Sequence, residues 1–314
     1  MRILVVGAGA TGGYFGGRLA QAGRDVTFLV RPRRAAQLVA DGLVIRSPHG
    51  DFTLRSAQTV LSGSITAPFD LILLSCKAYD LEGAIPAFAP AVGTQTAILP
   101  VLNGIRHLDA LDARFGRHSV LGGQCVIAAT LDEQGTIVHL NEAHSLTYGE
   151  RDGGMSARVS RIAQAMAGAC FESRPSEQIV QEMWEKWTAL ATLASSTCLM
   201  RASVGDILNA RYGNEVITGL LAECSAIAGA NGHAPRAAFV ERMRATLLQQ
   251  GSTLTASMLR DVERDRPTES DHIIGDLLAR RASDTHDRGI SLLRTAYTHL
   301  KAYEARRLRS AAAK

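Results

Sequence analysis

Six residues near the start, Gly7-Ala8-Gly9-Ala10-Thr11-Gly12, have the types and spacing to grip a phosphate. They follow the apolar run Ile3-Leu4-Val5-Val6 and open a helix-prone stretch. In that context the three glycines act differently. Gly7 permits the tight turn, Gly9 lets a pyrophosphate approach the backbone, and Gly12 lets helix and strand pack closely. A helix starting there adds backbone N–H groups and the positive end of its dipole. The next strand ends at Leu29-Val30, where an acidic residue would hold the ribose 2′-hydroxyl of NAD. The chain has Arg31-Pro32-Arg33-Arg34 instead. The planar fork of Arg31, helped by Arg33 or Arg34, suits a 2′-phosphate, so NADP(H) is the expected cofactor.

The cations carry a second signal. Of 34 basic residues only four are lysines: Lys77, Lys186, Lys301 and Lys314. Lys301 and Lys314 fall in a polar tail, where either cation would serve. Lys77 follows a strand in Cys76-Lys77-Ala78-Tyr79-Asp80, and Lys186 shares a helix face with Ile179, Met183, Leu190 and Ala194. A lysine on an apolar stripe, taken alone, reads as a snorkelling side chain. An amine, unlike a guanidinium, can give up its proton, so two lysines in apolar surroundings are candidates for proton chemistry. Asn103-Gly104 ends another strand, and ligands of open α/β sheets bind beyond such carboxyl ends. Ser257-Met258-Leu259-Arg260-Asp261 and Thr268-Glu269 come late; alone they read as a charged helix or loop, with Thr268 a plausible cap.

These residues need elements to position them. Strand-like segments fall at Arg2–Val6, Asp25–Val30, Leu71–Ser75, Thr96–Leu102, Ser119–Val126 and within Thr136–Gly149, with helix-like segments such as Gly13–Gly23 and Arg33–Asp41 between the earlier ones. The alternation predicts a parallel sheet with helices on both faces. From Ser176 the texture turns helical, over Gln178–Ala202, Glu215–Asn231, Arg236–Gln249, Asp271–Ala282 and Ile290–Arg306. The break at Cys170–Pro175 divides the chain into domains 1–173 and 174–314, and the alanine-rich end Ser310–Lys314 is expected to fray.

Composition excludes several classes. With 46% hydrophobic and 20% charged residues in 314, the chain is long enough for one large domain or two ordinary ones, each with its own core. No apolar run approaches the roughly 18 residues of a membrane span. The net charge of +4 is scattered, so nucleic acid is not an expected partner. Five cysteines lie far apart with no CxxC pair, which suits reduced thiols of a cytoplasmic protein better than a disulfide frame or a zinc site. No metal is expected. The helical half could supply the face of a homodimer.

In order, the glycine loop, the lysine of Cys76-Lys77-Ala78, Asn103-Gly104, Trp184-x-Lys186 and the Ser257–Asp261 block with Thr268-Glu269 resemble the ketopantoate reductase (2-dehydropantoate 2-reductase) family over nearly the whole chain. The resemblance implies a Rossmann-type doubly wound sheet followed by an all-helical domain. It implies NADPH-dependent reduction of a 2-oxo acid, 2-dehydropantoate to pantoate, in pantothenate and coenzyme A biosynthesis. Lys186 would be the general acid and Glu269 would orient it or a substrate hydroxyl. Ser257 and Asn103 would hydrogen-bond the substrate, and Lys77 would lie near the nicotinamide ribose and the reacting centre, so Lys77 and Asn103 serve cofactor and substrate together.

The sequence also departs from the family pattern. Family members carry asparagines four and eight residues after the helix lysine, and another just before Gly205; here stand Leu190, Ala194 and Val204. Residues four apart share a helix face, so that wall of the substrate pocket is expected to be apolar. The alternative reading is therefore a reductase of a more apolar 2-oxo acid or other carbonyl compound, unless Thr188, Thr192, Ser195 or Ser196 restores the contacts. A non-catalytic NADP sensor would need only the glycine loop and Arg31, and the presence of Lys186, Glu269, Ser257 and Asn103 argues against it.

Overall fold

A computed structural model describes residues 1–281 and 290–312; the expected helix end at Ala282 and the last two residues of the alanine-rich tail lie outside them. The chain forms two compact units, Met1–Leu102 with Arg106–Val180, and Asn103–Ile105 with Gln181 onward.

The first unit holds β1 (Arg2–Val6), α1 (Ala10–Gln21), β2 (Asp25–Leu29), α2 (Pro32–Asp41), β3 (Leu43–Arg46), β4 (Phe52–Leu54), β5 (Gln58–Val60), β6 (Leu71–Leu74), α3 (Leu81–Phe88), β7 (Ala97–Pro100), α4 (Arg106–Phe115), β8 (Gly122–Leu131), β9 (Ile137–Gly149), α5 (Ala157–Met166) and β10 (Glu172–Pro175). Five strands make a parallel sheet in the order β5-β2-β1-β6-β7. Every residue of β6 and β7 is buried, as a sheet covered on both faces requires. The winding direction reverses between β1 and β6, the switch point at which such sheets bind ligands. The register pairs Val6 with Leu74, which sets Gly7 and Ser75 side by side at the carboxyl ends.

A second sheet, β10-β9-β3-β4 with β8 on the other side of β9, was not expected from the sequence. Ser119–Val126 was expected to be one strand; instead Arg117–Ser119 is a 3₁₀ turn, Val120 makes a lone parallel bridge to Ile98, and β8 then pairs with β9. Helix α1 runs between the two sheets. A Cβ at Gly16 would meet Val5 and Phe28 of the first sheet, and one at Gly17 would meet Leu43 and Ile45 of the second, each under 3.0 Å. Glycines on both sides let one helix serve two sheets.

The second unit is helical: α6 (Ile179–Met200), α7 (Val204–Asn209), α8 (Gly213–Ala230), α9 (Ala237–Leu247), α10 (Ser257–Glu263), α11 (Asp276–Ala279) and α12 (Leu292–Ala312). Ser203 caps α7 in a capping box with Asp206. Glu185 of α6 is buried and takes Arg236 through Nη2 at 2.6 Å and Nε at 2.8 Å. The expected helix Asp271–Ala282 is a π-helical turn, Asp271–Gly275, continued by α11. His272 N–H and Ile273 N–H both donate to the Glu269 carbonyl, so the turn starts from a residue the sequence marked for chemistry. Among the described residues no helix is long and apolar enough to cross a membrane.

Candidate active site

In the first unit the loop after β1 has the shape its glycines imply. Gly7 adopts φ +94°, a conformation that costs most residues energy, and its N–H donates to Leu29 O. Gly12 is buried where an added Cβ would lie 2.2 Å from Gly7 O and 2.0 Å from Ser75 Oγ. At Gly9 the same addition meets nothing within 4 Å, so the backbone there faces open space. Gly9 is also the N-cap of α1, and among the described residues the helix start has no side-chain cap hydrogen bond. Ala8 is buried and Ala10 and Thr11 are half-buried around this opening. A cradle with free space over a helix start fits the pyrophosphate of a dinucleotide.

Arg31 stands at the end of β2 as expected, but not alone. Its Nη2 donates to Asp80 Oδ1 at 2.6 Å, and that bond raises the guanidinium above its ordinary pKa. Arg31 is 80% exposed, so the pair is solvated and readily exchanged for another anion. Arg34 is tied into the glycine loop: Nε donates to Ala8 O at 3.1 Å and Nη1 to Gln37 and to Gly135 O. Its Nη2 is buried without a partner among the described residues, and burial lowers its pKa. Arg33 is exposed. Lys77 is half-buried just beyond β6, where its residue starts the 3₁₀ turn Ala78–Asp80. Arg31→Ala is expected to weaken NADPH about tenfold while leaving NADH within about twofold, by fluorescence titration of each. Equal weakening of both would remove Arg31 from recognition of the 2′-phosphate.

In the second unit, one tryptophan joins three of the motifs singled out from the sequence. Trp187 is 1% exposed and donates Nε1–H to Ile273 O at 2.8 Å, fastening the π-helical turn to α6. Gly104, at φ +73°, packs so closely on that turn that a Cβ would meet His272 O at 2.8 Å. Lys186 therefore lies on α6 beside the residue that anchors the Glu269–Ile273 segment, and Asn103 enters through the glycine pressed onto the same turn. Glu269 is buried, while Lys186, Asn103 and Ser257 are half-buried. Ser257 begins α10, whose Met258, Leu259 and Val262 are buried.

A brace that the sequence did not disclose holds the Thr268–Glu269–Ser270 stretch. Ser270 Oγ donates to Glu304 Oε1 at 2.8 Å, and the Thr268 hydroxyl donates to the same carboxylate while its oxygen accepts from Ser270 N–H at 3.4 Å, at the start of the helical segment. Lys301 Nζ donates to Glu304 Oε2 at 2.6 Å and to Asp271 Oδ2 at 3.0 Å. Burial opposes the Lys301 charge, but the Glu304 and Asp271 carboxylates outweigh it and raise its pKa above the usual lysine range. Lys301 is thus no interchangeable tail cation.

The two positions where the resemblance implies asparagines, four and eight residues after Lys186, differ in exposure. Leu190 is half-buried, whereas Ala194 is fully buried and offers no surface. Thr192 Oγ1 donates to Thr188 O, and Ser196 Oγ to Thr192 O, so both hydroxyls serve their own helix. The Thr188 and Ser195 hydroxyls are buried without partners among the described residues.

Comparison with known proteins covers both units. The family model "Ketopantoate reductase PanE/ApbA" matches residues 3–153, and "Ketopantoate reductase PanE/ApbA C terminal" matches 178–304. An uncharacterised oxidoreductase of Bacillus subtilis, YkpB, is 36% identical over 97% of this chain and 99% of its own length. A 2-dehydropantoate 2-reductase of Mesorhizobium japonicum is 28% identical over 87% of this chain and 89% of its own. The crystal structure of 2-dehydropantoate 2-reductase from Geobacter metallireducens aligns at TM-score 0.85 and 27% identity, covering 96% of this chain and 99% of that one. A D-mandelate dehydrogenase with NADH and anilino(oxo)acetate shares the fold at TM-score 0.85 and 19% identity, over 98% and 99% of the two chains.

Proposed function

The chain belongs to the ketopantoate reductase family of oxidoreductases, and on that premise we propose that it reduces a 2-oxo acid to a 2-hydroxy acid with NADPH, 2-dehydropantoate being the first candidate. The observation that carries the reading is the junction at Trp187, which ties the helix of Lys186 to the segment of Glu269 and to Asn103-Gly104. Such a reduction needs a hydride for the carbonyl carbon and a proton for its oxygen. NADPH, when bound, supplies the hydride; the chain supplies the rest. The glycine loop and Arg31 hold the nucleotide. The Lys186 ammonium hydrogen-bonds the carbonyl oxygen, draws electron density toward it, and gives its Nζ proton to the oxygen as negative charge develops. Asn103 and Ser257 orient the substrate. Glu269, kept in place by the Glu304 brace, orients Lys186 or a substrate hydroxyl.

One observation favours a second reading of the substrate. Leu190 presents an apolar side chain at a position where the family resemblance implies an amide. A site that lacks a hydrogen-bonding partner discriminates weakly for a hydroxylated substrate over an apolar one. Turnover of 2-dehydropantoate should be compared with that of branched and aromatic 2-oxo acids, in the wild type and in Leu190→Asn. A wild-type preference for 2-dehydropantoate that Leu190→Asn raises further supports the family substrate. Preference for the apolar acids, shifted toward 2-dehydropantoate by Leu190→Asn, supports the second reading. No turnover of any 2-oxo acid overturns both.

A further inference from the structure

The second sheet of the first unit carries a cluster of imidazoles that the proposed reduction does not use. His49, His139 and His144 each present a ring nitrogen within 4.8 Å of those of the other two. The cluster depends on an irregularity in β9. Strand alternation would send residues 139 and 144, an odd number apart, to opposite faces. The register against β8, however, steps from Ile127↔His144 to Ala129↔His139, so two residues of β8 span five of β9. The surplus bulges out and turns both histidines to one side, a use to which bulges are put beside functional sites. The bulge is itself held, since Ala128 N–H donates to Asn141 Oδ1 at 3.1 Å. His49 comes to meet them from the turn Ser47–Gly50, which joins β3 and β4.

Each ring is oriented by a partner on one nitrogen. His49 Nε2 lies 2.8 Å from Glu142 O, His139 Nε2 lies 3.0 Å from Ala143 O, and His144 Nδ1 lies 2.7 Å from Tyr14 Oη. A carbonyl can only accept, so His49 and His139 carry their protons on Nε2 and keep a lone pair on Nδ1. With Tyr14 Oη accepting from Nδ1, His144 likewise offers Nε2. An oxygen holding the far nitrogen is how metal-bound histidines are fixed in tautomer and direction. The His139 lone pair now meets the Ser47 hydroxyl at 3.0 Å, a contact that a cation would replace. The rings of His49 and His144 stack at 3.7 Å, and His139 is buried while the other two are half-buried, which leaves an entry side. Glu142 Oε2, 3.5 Å from His49 Nε2, adds negative charge at the rim, while the nearby buried Arg18 keeps its positive charge, its guanidinium bonded only to the neutral Gln21 Oε1 and Gly50 O among the described residues.

We propose that His49, His139 and His144 form a binding site for one divalent transition-metal ion, best suited to zinc. Three imidazoles with water in the fourth position match a tetrahedral ion with bonds of about 2.0–2.1 Å; to bind it, His49 and His144 turn out of their 3.7 Å stack so that their in-plane lone pairs converge on the ion. Imidazole donors favour zinc, copper, nickel or cobalt over magnesium and calcium, which want oxygen. The ion ties the β3–β4 turn to the β9 bulge, and through Tyr14 to α1.

Full-length, tag-free protein stripped with chelator is titrated with Zn²⁺ and Co²⁺ by calorimetry and visible absorption. The expected result is one ion per chain, tetrahedral Co²⁺ bands displaced by Zn²⁺, and no response to Mg²⁺. His49→Gln, on a half-exposed turn, and His144→Gln should each weaken Zn²⁺ at least about tenfold with circular dichroism unchanged. His118→Gln, outside the cluster, should leave it intact. Absence of stoichiometric binding, or binding that survives both cluster variants, overturns the proposal. Neither readout depends on reductase activity.

Discussion

Lys186→Ala is expected to lower kcat by about 100- to 10,000-fold, the usual contribution of a positioned general acid, with NADPH affinity changed less than about twofold. The side chain sits on a helix that cannot roll: Trp184 and Trp187 flank it at 3% and 1% exposure, and the buried Glu185 is clamped by Arg236. The lost amine would therefore not be replaced by a neighbour turning into its place. Lys186→Arg is the sharper variant. It keeps a positive charge that can polarise the carbonyl, but a guanidinium does not surrender its proton near neutral pH. Its rate should fall between those of the wild type and the alanine variant. Full turnover by Lys186→Arg, measured by steady-state NADPH oxidation with circular dichroism confirming the fold, would remove Lys186 from proton transfer.

Gly12→Ala is expected to cost at least about 100-fold in NADPH affinity and about 1–3 kcal/mol in stability, the range for overpacking a tight site. Ser75 Oγ, 2.0 Å from the added Cβ, could rotate away. Gly7 O, at 2.2 Å, is backbone, and Gly7 already holds φ +94° to form the turn. Relief of the clash must therefore move the phosphate loop itself. Gly9→Ala makes the contrast, because its Cβ meets no protein atom within 4 Å. That variant should unfold like the wild type in denaturant yet bind NADPH poorly, since the methyl group occupies space meant for the pyrophosphate. Gly12→Ala with unchanged stability and binding would show that the close approach of α1 to the loop is not needed.

The parts of this fold that could be read from the sequence are those whose cause is local. The strand Arg2–Val6, the glycines after it and the helix they open declare themselves within about 20 residues. The helices of the second unit declare themselves by periodicity. The second sheet did not, because β3, β4 and β10 are four, three and four residues long and acquire meaning only when β3 and β10 pair with β9 and β4 with β3. Asp80 was visible beside Lys77, but not its bond to Arg31, 49 positions away. Lys301 read as a tail cation because its partner Asp271 is 30 positions distant. Asn103-Gly104 was placed at the end of a strand in the nucleotide-binding half; the close contact between Gly104 and His272 O groups it with the helical unit instead. The three histidines have no telling spacing at all, since a bulge in one strand brings them together.

Hydride transfer can be followed atom by atom. With NADPH carrying deuterium at both C4 positions of the nicotinamide and a 2-oxo acid in ordinary water, one deuterium is expected at C2 of the 2-hydroxy acid for each NADPH consumed. The oxygen-bound hydrogen should come from solvent-exchangeable Nζ of Lys186. NADPH that binds but is never oxidised by any 2-oxo acid, or product whose C2 hydrogen comes from water, would contradict reduction by this chain.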